Sequence, residues 1–231
     1  TEFLGIREYV PGDDHRLIAW KAMAKSPTYT PMTKEQEEKK ILDFVIALLL
    51  TPSLNEGEEG KRKLDKIAEG VIEVLKCALR DGYNSLFVYN QKDTIVSVKG
   101  DLREVSNAIA SFDLAEIKEE RNKYLDSMIA YLEYHLKKKS LIMLIIDYPY
   151  PYKLNLNELL RLKASGHYVK PLVISTTSFV RIDDRKELGR LIKEVQRKHE
   201  EGLVKWLNSI GILAQICSYD NLIPKMVTSF V

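Results

Sequence analysis

The chain has little of what most readily marks a chemistry. It holds two cysteines in 231 residues, Cys77 and Cys217, far apart and outside any CxxC or Cys/His cluster. That argues against a disulfide framework or a zinc site and for buried free thiols in a reducing compartment. No apolar run approaches the ~20 residues of a membrane span; the longest, Phe44 to Leu50, has the length of a strand. Charge of one sign is missing too: 35 basic against 33 acidic residues leave a net +2. A nucleic-acid partner, which calls for a concentrated basic footprint, therefore has no support. The basic run Lys137-Lys138-Lys139 closes a predicted helix, where it complements the negative end of the dipole. The four histidines (His15, His135, His167, His199) are scattered, with no metal spacing and no matching nucleophile. No GxGxxG follows a strand. The GEEGK of 57–61 fails as a phosphate loop: Asn55 stands where the first glycine belongs, Arg62 replaces the magnesium-holding hydroxyl, and Glu58-Glu59 repel phosphate.

What is present is alternation of buried strands and long helices. ILDFVIALLL (41–50) is almost wholly apolar, as a central parallel strand requires. KRKLDKIAEGVIEVLKCALRDG (61–82) repeats apolar residues at helical spacing and stops at Gly82. SLFVYN (85–90) and TIVSVK (94–99) form a predicted hairpin, and 101–139 is helical with a break near Ser111 to Asp113. SLIMLIID (140–147) is a second buried strand. Helix 155–165 ends at Gly166, and YVKPLVIS (168–175) follows, its Pro171 marking a local edge or bulge. A polar connector, a long helix to about Ile210, the strand GILAQIC (211–217) and a short terminal helix complete the chain. Residues 27–40, with two prolines and a charged tail, read as a surface connector. The expected organisation is a segment 1–40 packed on an α/β domain 41–231, with a mostly parallel sheet, one antiparallel edge strand and helices on both faces.

In such a sheet, function sits at the carboxyl ends of the strands. That edge offers Thr51, Ser53, Asn55 and Glu56, then Asn90, then Asp147 and Tyr148, and lastly Ser175 to Thr177. Small hydroxyls with one aspartate form an oxygen set of the kind hard cations take. The competing reading is that Ser53 turns the chain and Asp147 caps or pairs with a neighbour. Beside them, YPYPY holds Tyr148, Tyr150 and Tyr152 between two prolines. Rigid aromatics suit a partner surface, or equally a stiff loop folded over its own domain.

The densest stretch is REYVPGDDHRLIAWKAMAKS (7–26). Pro11-Gly12 make a turn, Asp13 and Asp14 are helix caps, and Leu17, Ile18, Trp20, Met23 and Ala24 can share one helical face. Arg7, Glu8, Tyr9, Pro11, Gly12, Asp13, Asp14, Arg16, Ile18, Trp20, Lys21 and Ala24 match the signature R-E-Y-x-P-G-D-D-x-R-x-I-D-W-K-x-x-A-R. Ala19 and Lys25 depart from it. By these residues the chain resembles a large prokaryotic family of unknown function with a von Willebrand factor A-like domain, commonly found beside MoxR-type AAA+ ATPases. The element order is consistent with that resemblance over nearly the whole chain.

The resemblance implies a Rossmann-like sheet of the von Willebrand factor A type, with a metal-ion-dependent adhesion site D-x-S-x-S at its carboxyl edge. That motif falls on Leu49, Thr51 and Ser53, with Asp147 as the distant aspartate and no glycine-threonine pair between 100 and 118. Leu49 has replaced the leading acid, so Thr51, Ser53 and Asp147 are expected to be a remnant that binds Mg2+ weakly or not at all. No cofactor and no catalytic residue is expected. The resemblance also implies membrane spans ahead of the signature, and hence a membrane-anchored protein with this domain on the cytoplasmic face. The function expected is a non-enzymatic interaction module, docking a MoxR-type ATPase or its client through Thr51, Ser53, Asp147 and the tyrosine loop. The signature residues are expected to be structural. A divalent-metal-dependent hydrolase using Asp147, or an oligomerisation domain, are the alternatives.

Overall fold

Seven consecutive side chains from Phe44 to Leu50 are at most 1% exposed, which is why the first buried run of the sequence becomes the middle of a sheet. In the computed structural model the described residues are 2–10, 18–25, 30–37, 43–58, 60–91, 93–117, 121–149, 157–179 and 187–230. They divide into two compact units, Thr1–Ile41 and Leu42–Val231.

In the larger unit, strand β3 (Asp43–Leu48) lies between β4 (Ser85–Gln91) and β6 (Ser140–Asp147), both parallel to it. β5 (Thr94–Lys99) pairs antiparallel with β4 and closes one edge; β7 (Tyr168–Ile174) and β8 (Gln215–Cys217) continue parallel on the other. The strand order is β5-β4-β3-β6-β7-β8. The order reverses between β3 and β6, and this is the switch point at which open α/β sheets place their ligands. Right-handed crossovers running in opposite directions from that point put α2 (Lys63–Arg80) on one face and α5 (Asn157–Ala164) and α7 (Glu187–Ser209) on the other. Accordingly α2 packs on α3 (Leu102–Ala110) and α8 (Leu222–Phe230), and α4 (Arg121–His135) packs on α5. The expected mostly parallel α/β sheet with one antiparallel edge strand is present.

Several local expectations are also met. Gly82 and Gly166 take positive φ, 78° and 87°, just past the ends of α2 and α5. At Pro171 the ladder with β6 runs on without a register shift, while pairing with β8 begins only at Leu172. The proline thus sits where β7 is locally an edge, and no bulge forms. Cys77 and Cys217 are free thiols, half-buried and buried. The last strand is shorter than its apolar run, since β8 starts at Gln215. A four-residue helix, α6 (Thr176–Phe179), opens the connector after β7.

The smaller unit corrects the reading of 27–40 as a connector. β1 (Glu2–Glu8) pairs antiparallel with β2 (Met32–Glu37), so the charged stretch read as a surface connector forms a strand. The ribbon is held by backbone bonds that need no apolar alternation, and the polar sequence of β2, MTKEQE, hid it. Within the signature, the Tyr9 amide donates to the Pro31 carbonyl at 2.9 Å and the Ala19 amide to that of Met32 at 2.8 Å. Ile18 bridges Thr33 instead of joining a helix face, and the helix is reduced to α1 (Trp20–Met23), with Trp20 62% exposed. Arg7 and Glu8 are exposed as well, and Arg7 donates to the Glu8 carbonyl. Pro11, Gly12, Asp13, Asp14 and Arg16 lie outside the described residues. Among the described residues no helix is long and apolar enough to cross a membrane.

Candidate functional site

Strand β3 delivers its loop, and β6 its terminal aspartate, to one place. Past Leu48 the chain stays buried through Leu49 and Leu50. There the Asn90 side chain, at the end of β4, accepts from the Leu50 amide (2.7 Å) and donates to its carbonyl (3.0 Å). This two-way bond fixes the direction in which the chain leaves the sheet. A single 3-10 turn, Pro52–Asn55, follows, anchored by fully buried Leu54. Thr51 Oγ1 and Ser53 Oγ lie 3.0 Å apart, and Ser53 Oγ donates to Asp147 Oδ2. The residues of the expected remnant site, Thr51, Ser53 and Asp147, are therefore brought together.

The centre of the cluster is a residue that the sequence did not single out. Lys63, first residue of α2, is completely buried, and its Nζ donates to Asp147 Oδ1 at 3.0 Å, Glu56 Oε2 at 2.6 Å and Thr176 Oγ1 at 3.2 Å. An ammonium has three protons, and here each has an acceptor. Its two carboxylate partners differ in access: the Asp147 side chain is 0% exposed, that of Glu56 41%. The backbone delivers Glu56 to this position. Its carbonyl accepts from the Lys63 amide at 3.1 Å, and its amide donates to the Ser53 carbonyl at 3.1 Å. The return from Glu56 to Lys63 needs Gly57, whose φ is 120° and where a Cβ would meet Arg62 Cα and the Lys61 carbonyl at 2.9 Å.

A second layer lies behind the first. Buried Glu200 on α7 accepts at Oε1 from the Thr176 amide (3.0 Å) and from Gln196 Nε2 (2.5 Å), and Gln196 also donates to the Tyr148 carbonyl (3.0 Å). Burial pushes the Glu200 carboxyl above the usual carboxylate range; its hydrogen bonds with Gln196, Thr176 and Ser175 pull it back, and the nearby Asp147 charge pushes it further up. The Tyr148 ring stacks on His199, 4.2 Å between centroids and 5° from parallel.

These positions correct the expected docking line. Tyr148 is 7% exposed and its ring is spent on His199, so it is an interior residue. Thr51 and Asp147 are each 1% exposed, too little to form a docking surface themselves. Tyr150 and Tyr152 lie outside the described residues. Lys63, Gln196 and Glu200 were not foreseen. One signal could have found Lys63: three basic residues, Lys61-Arg62-Lys63, open a helix at the end where the dipole disfavours cations, and that calls for anions nearby.

The residues present do not fit a divalent ion. Lys63 Nζ takes the Asp147 oxygen that a metal would need and brings like charge into the same space, and buried Leu49 supplies no ligand. Among the described residues no group of three or more His, Cys, Asp or Glu could hold a metal.

A family model described as "Protein of unknown function DUF58" matches residues 5–183, well over half of the chain. No curated protein is matched by the chain. Solved structures of similar fold include the pilus adhesin SpaC from Lactobacillus rhamnosus GG. That match has 14% identity and a TM-score of 0.55, over 85% of this chain and 31% of the adhesin. Proximal thread matrix protein 1 from the mussel byssus is similar at 10% identity and a TM-score of 0.52, over 82% of this chain and 46% of that one. An aerotolerance-related membrane protein from Bacteroides fragilis matches at 13% identity and a TM-score of 0.50, over 81% of this chain and 96% of that one. The chain thus spans about a third of the adhesin and about half of the thread protein. At these identities the likeness is one of fold.

Proposed function

The chain belongs to the DUF58 family of proteins of unknown function, and from that premise we propose that it is a von Willebrand factor A-like, non-enzymatic protein-interaction module. Its docking surface is the carboxyl edge of the sheet around the loop 52–61, to which the sequence adds Tyr150 and Tyr152 but not the buried Tyr148. The observation that carries this reading is the closed polar circuit at the switch point. Asp147 receives Ser53 at one oxygen and Lys63 at the other, and every Lys63 proton is bound. Thr51, Asp147 and Lys63 are at most 1% exposed, so the circuit presents none of these groups to an incoming substrate, as general acid–base or nucleophilic chemistry requires, and suits the support of a surface. The same circuit weighs against a metal-dependent hydrolase built on Asp147. By the family resemblance the partner is a MoxR-type AAA+ ATPase, met at the cytoplasmic face of a membrane by a longer, anchored protein.

Calorimetric titration with the MoxR-type ATPase of the same source tests the proposal. Saturable binding is expected, weakened about tenfold by Tyr150→Ala, since buried aromatic anchors dominate interfaces. Absence of binding, or binding indifferent to that substitution, overturns it. One observation favours a second reading, self-association: Leu188, Leu191, Ile192 and Val195 make an exposed stripe along α7 at helical spacing, 43–69% accessible. In that reading light scattering finds a dimer and Leu191→Glu returns it to monomer.

A further inference from the structure

We propose that Lys63 is a resident cation, standing in the place of the divalent metal, and that Glu56 occupies a carboxylate seat that exchanges with an acidic side chain of the docking partner. The part about the partner rests on the interaction reading above; the part about the cation does not.

The ligands of Lys63 are those of a bound cation. The Lys63 ammonium is held by two carboxylates, Asp147 and Glu56, and the Thr176 hydroxyl, while Ser53 and Thr51 continue the chain of oxygens from Asp147. This is the kind of oxygen set that a hard cation takes, converging on a cation that the chain carries on its own side chain. A buried ammonium is tolerable only when paired and fully hydrogen-bonded, and Lys63 is both. A tethered cation cannot be chelated, so whatever docks at this edge does so without divalent metal.

The two carboxylates are unequal. Asp147 ends a central strand and is sealed; Glu56 sits on a loop that leaves the sheet at Thr51 and returns at Lys63, and two-fifths of its side chain is open to solvent. Glu56 is therefore the ligand that can leave. When it does, Lys63 keeps Asp147 and Thr176 and loses one anionic acceptor on the solvent side. A neutral group or a cation leaves that position poorer in charge, whereas a carboxylate restores it. The partner chemistry that fits the seat is thus an aspartate or glutamate side chain presented on a protruding segment.

Both parts are tested on the full chain with no partner. In the first test MnCl2 is titrated by calorimetry and by the manganese paramagnetic resonance signal. The wild type is expected to bind none at the edge, whereas Lys63→Ala, with the ammonium gone and the oxygens left behind, gains one divalent ion per chain at millimolar affinity or better. Lys63→Gln, or refolding of Lys63→Ala in MnCl2 followed by circular dichroism, carries the test if Lys63→Ala does not fold alone. One ion bound by the wild type and lost in Asp147→Asn overturns the proposal, as does failure of both lysine variants to gain any. In the second test Glu56→Ala is melted in sodium acetate and in sodium chloride of equal ionic strength. A loss of about 2–4 °C is expected, recovered in acetate and not in chloride. Equal curves in the two salts overturn the exchangeable seat. Loss of ATPase binding with both tests positive would refute the interaction reading and leave the resident cation standing.

Discussion

The two ends of the sheet use lysine in opposite ways. At the carboxyl end Lys63 opens α2, where the helix dipole is positive, and survives burial by holding Asp147 and Glu56. At the amino end Lys139, Lys163 and Lys170 line a pocket of about 430 Å3 with His167, Tyr168 and Leu213. Here two of the lysines meet carbonyls: Lys163 Nζ donates to the Ile210 carbonyl at 2.8 Å, just past α7, and Lys170 Nζ to that of Ser229, near the end of α8, at 2.6 Å. Unpaired carbonyls at helix C-termini carry partial negative charge and suit a cation without help. A lysine at the wrong end of a helix needs formal anions, and one at the right end does not.

The sharpest way to break that contrast is to truncate one lysine from each end. Lys63→Met leaves Asp147 buried without its cation, and removal of one member of a buried pair costs about 3–5 kcal/mol. For a domain of this size that lowers the melting temperature by roughly 6–20 °C. Lys163→Met removes a capping contact at an exposed helix end, worth about 0.3–1 kcal/mol. Adding Asp147→Leu to Lys63→Met should recover most of the loss, because an apolar pair removes the orphaned charge. Thermal melts in which the two single variants fall together would abolish the distinction between the ends.

The loop that supplies Glu56 comes next in size. Gly57→Ala forces a side chain into a positive-φ position with backbone atoms 2.9 Å from the new Cβ. The expected loss is about 1–3 kcal/mol, read by denaturant unfolding. A variant as stable as the wild type would show that the return from Glu56 to Lys63 does not depend on the positive φ at Gly57.

At the amino end the charge question becomes one of pH. His167 is buried, and its Nδ1 accepts the Ser140 amide at 3.3 Å. Burial lowers its pKa from the ordinary 6.5, partly opposed by Glu133. The unfolded chain therefore takes the proton first. The stability from the neutral ring is complete above pH 6.5 and is lost progressively as pH falls below it. Melting curves between pH 7.5 and pH 5, pH values chosen to straddle the ordinary histidine range, should decline more steeply for the wild type than for His167→Gln. Parallel declines would place the ring in contact with solvent.

What could be read in the sequence follows from which residues carry a signal alone. β3 and β6 were legible because strands covered on both faces are apolar throughout, and α2 because Leu64, Ile67, Val71, Leu75 and Ala78 repeat at helical spacing. Thr51, Ser53 and Asp147 could be placed together because strand ends converge at a switch point. β1 and β2 gave no such signal, since Phe3 and Leu4 of β1 are adjacent and MTKEQE of β2 is polar after its first residue, so neither shows a clean alternation. Lys63 was harder to place because two of its partners stand 84 and 113 residues away, so the sequence offered only the indirect signal of a basic cluster at a helix N-terminus. Tyr148 misled for the converse reason: Tyr-Pro repeats look like display, but the ring that takes up Tyr148 comes from His199 on α7.

The smallest effect concerns how charge is shared at the carboxyl end. Among the described residues, the bonded cluster there joins the carboxyls of Asp147, Glu56 and Glu200 to the ammonium of Lys63 through direct contacts or Thr176. Glu200, deepest in the second layer, has its pKa raised above the ordinary 4.5, chiefly by burial. The folded state thus holds this proton more tightly than the unfolded state does. The resulting stability is fully present below pH 4.5 and is lost as pH rises through the folded value. Glu200→Gln keeps an acceptor for the Thr176 amide while fixing the neutral form. It should therefore raise the melting temperature at pH 7 by no more than about 2–4 °C, and its advantage over the wild type should shrink as the medium is acidified. A variant less stable than the wild type at pH 7 would mean that Lys63 is balanced against all three carboxylates, so that the resident cation serves the second layer as well as the first.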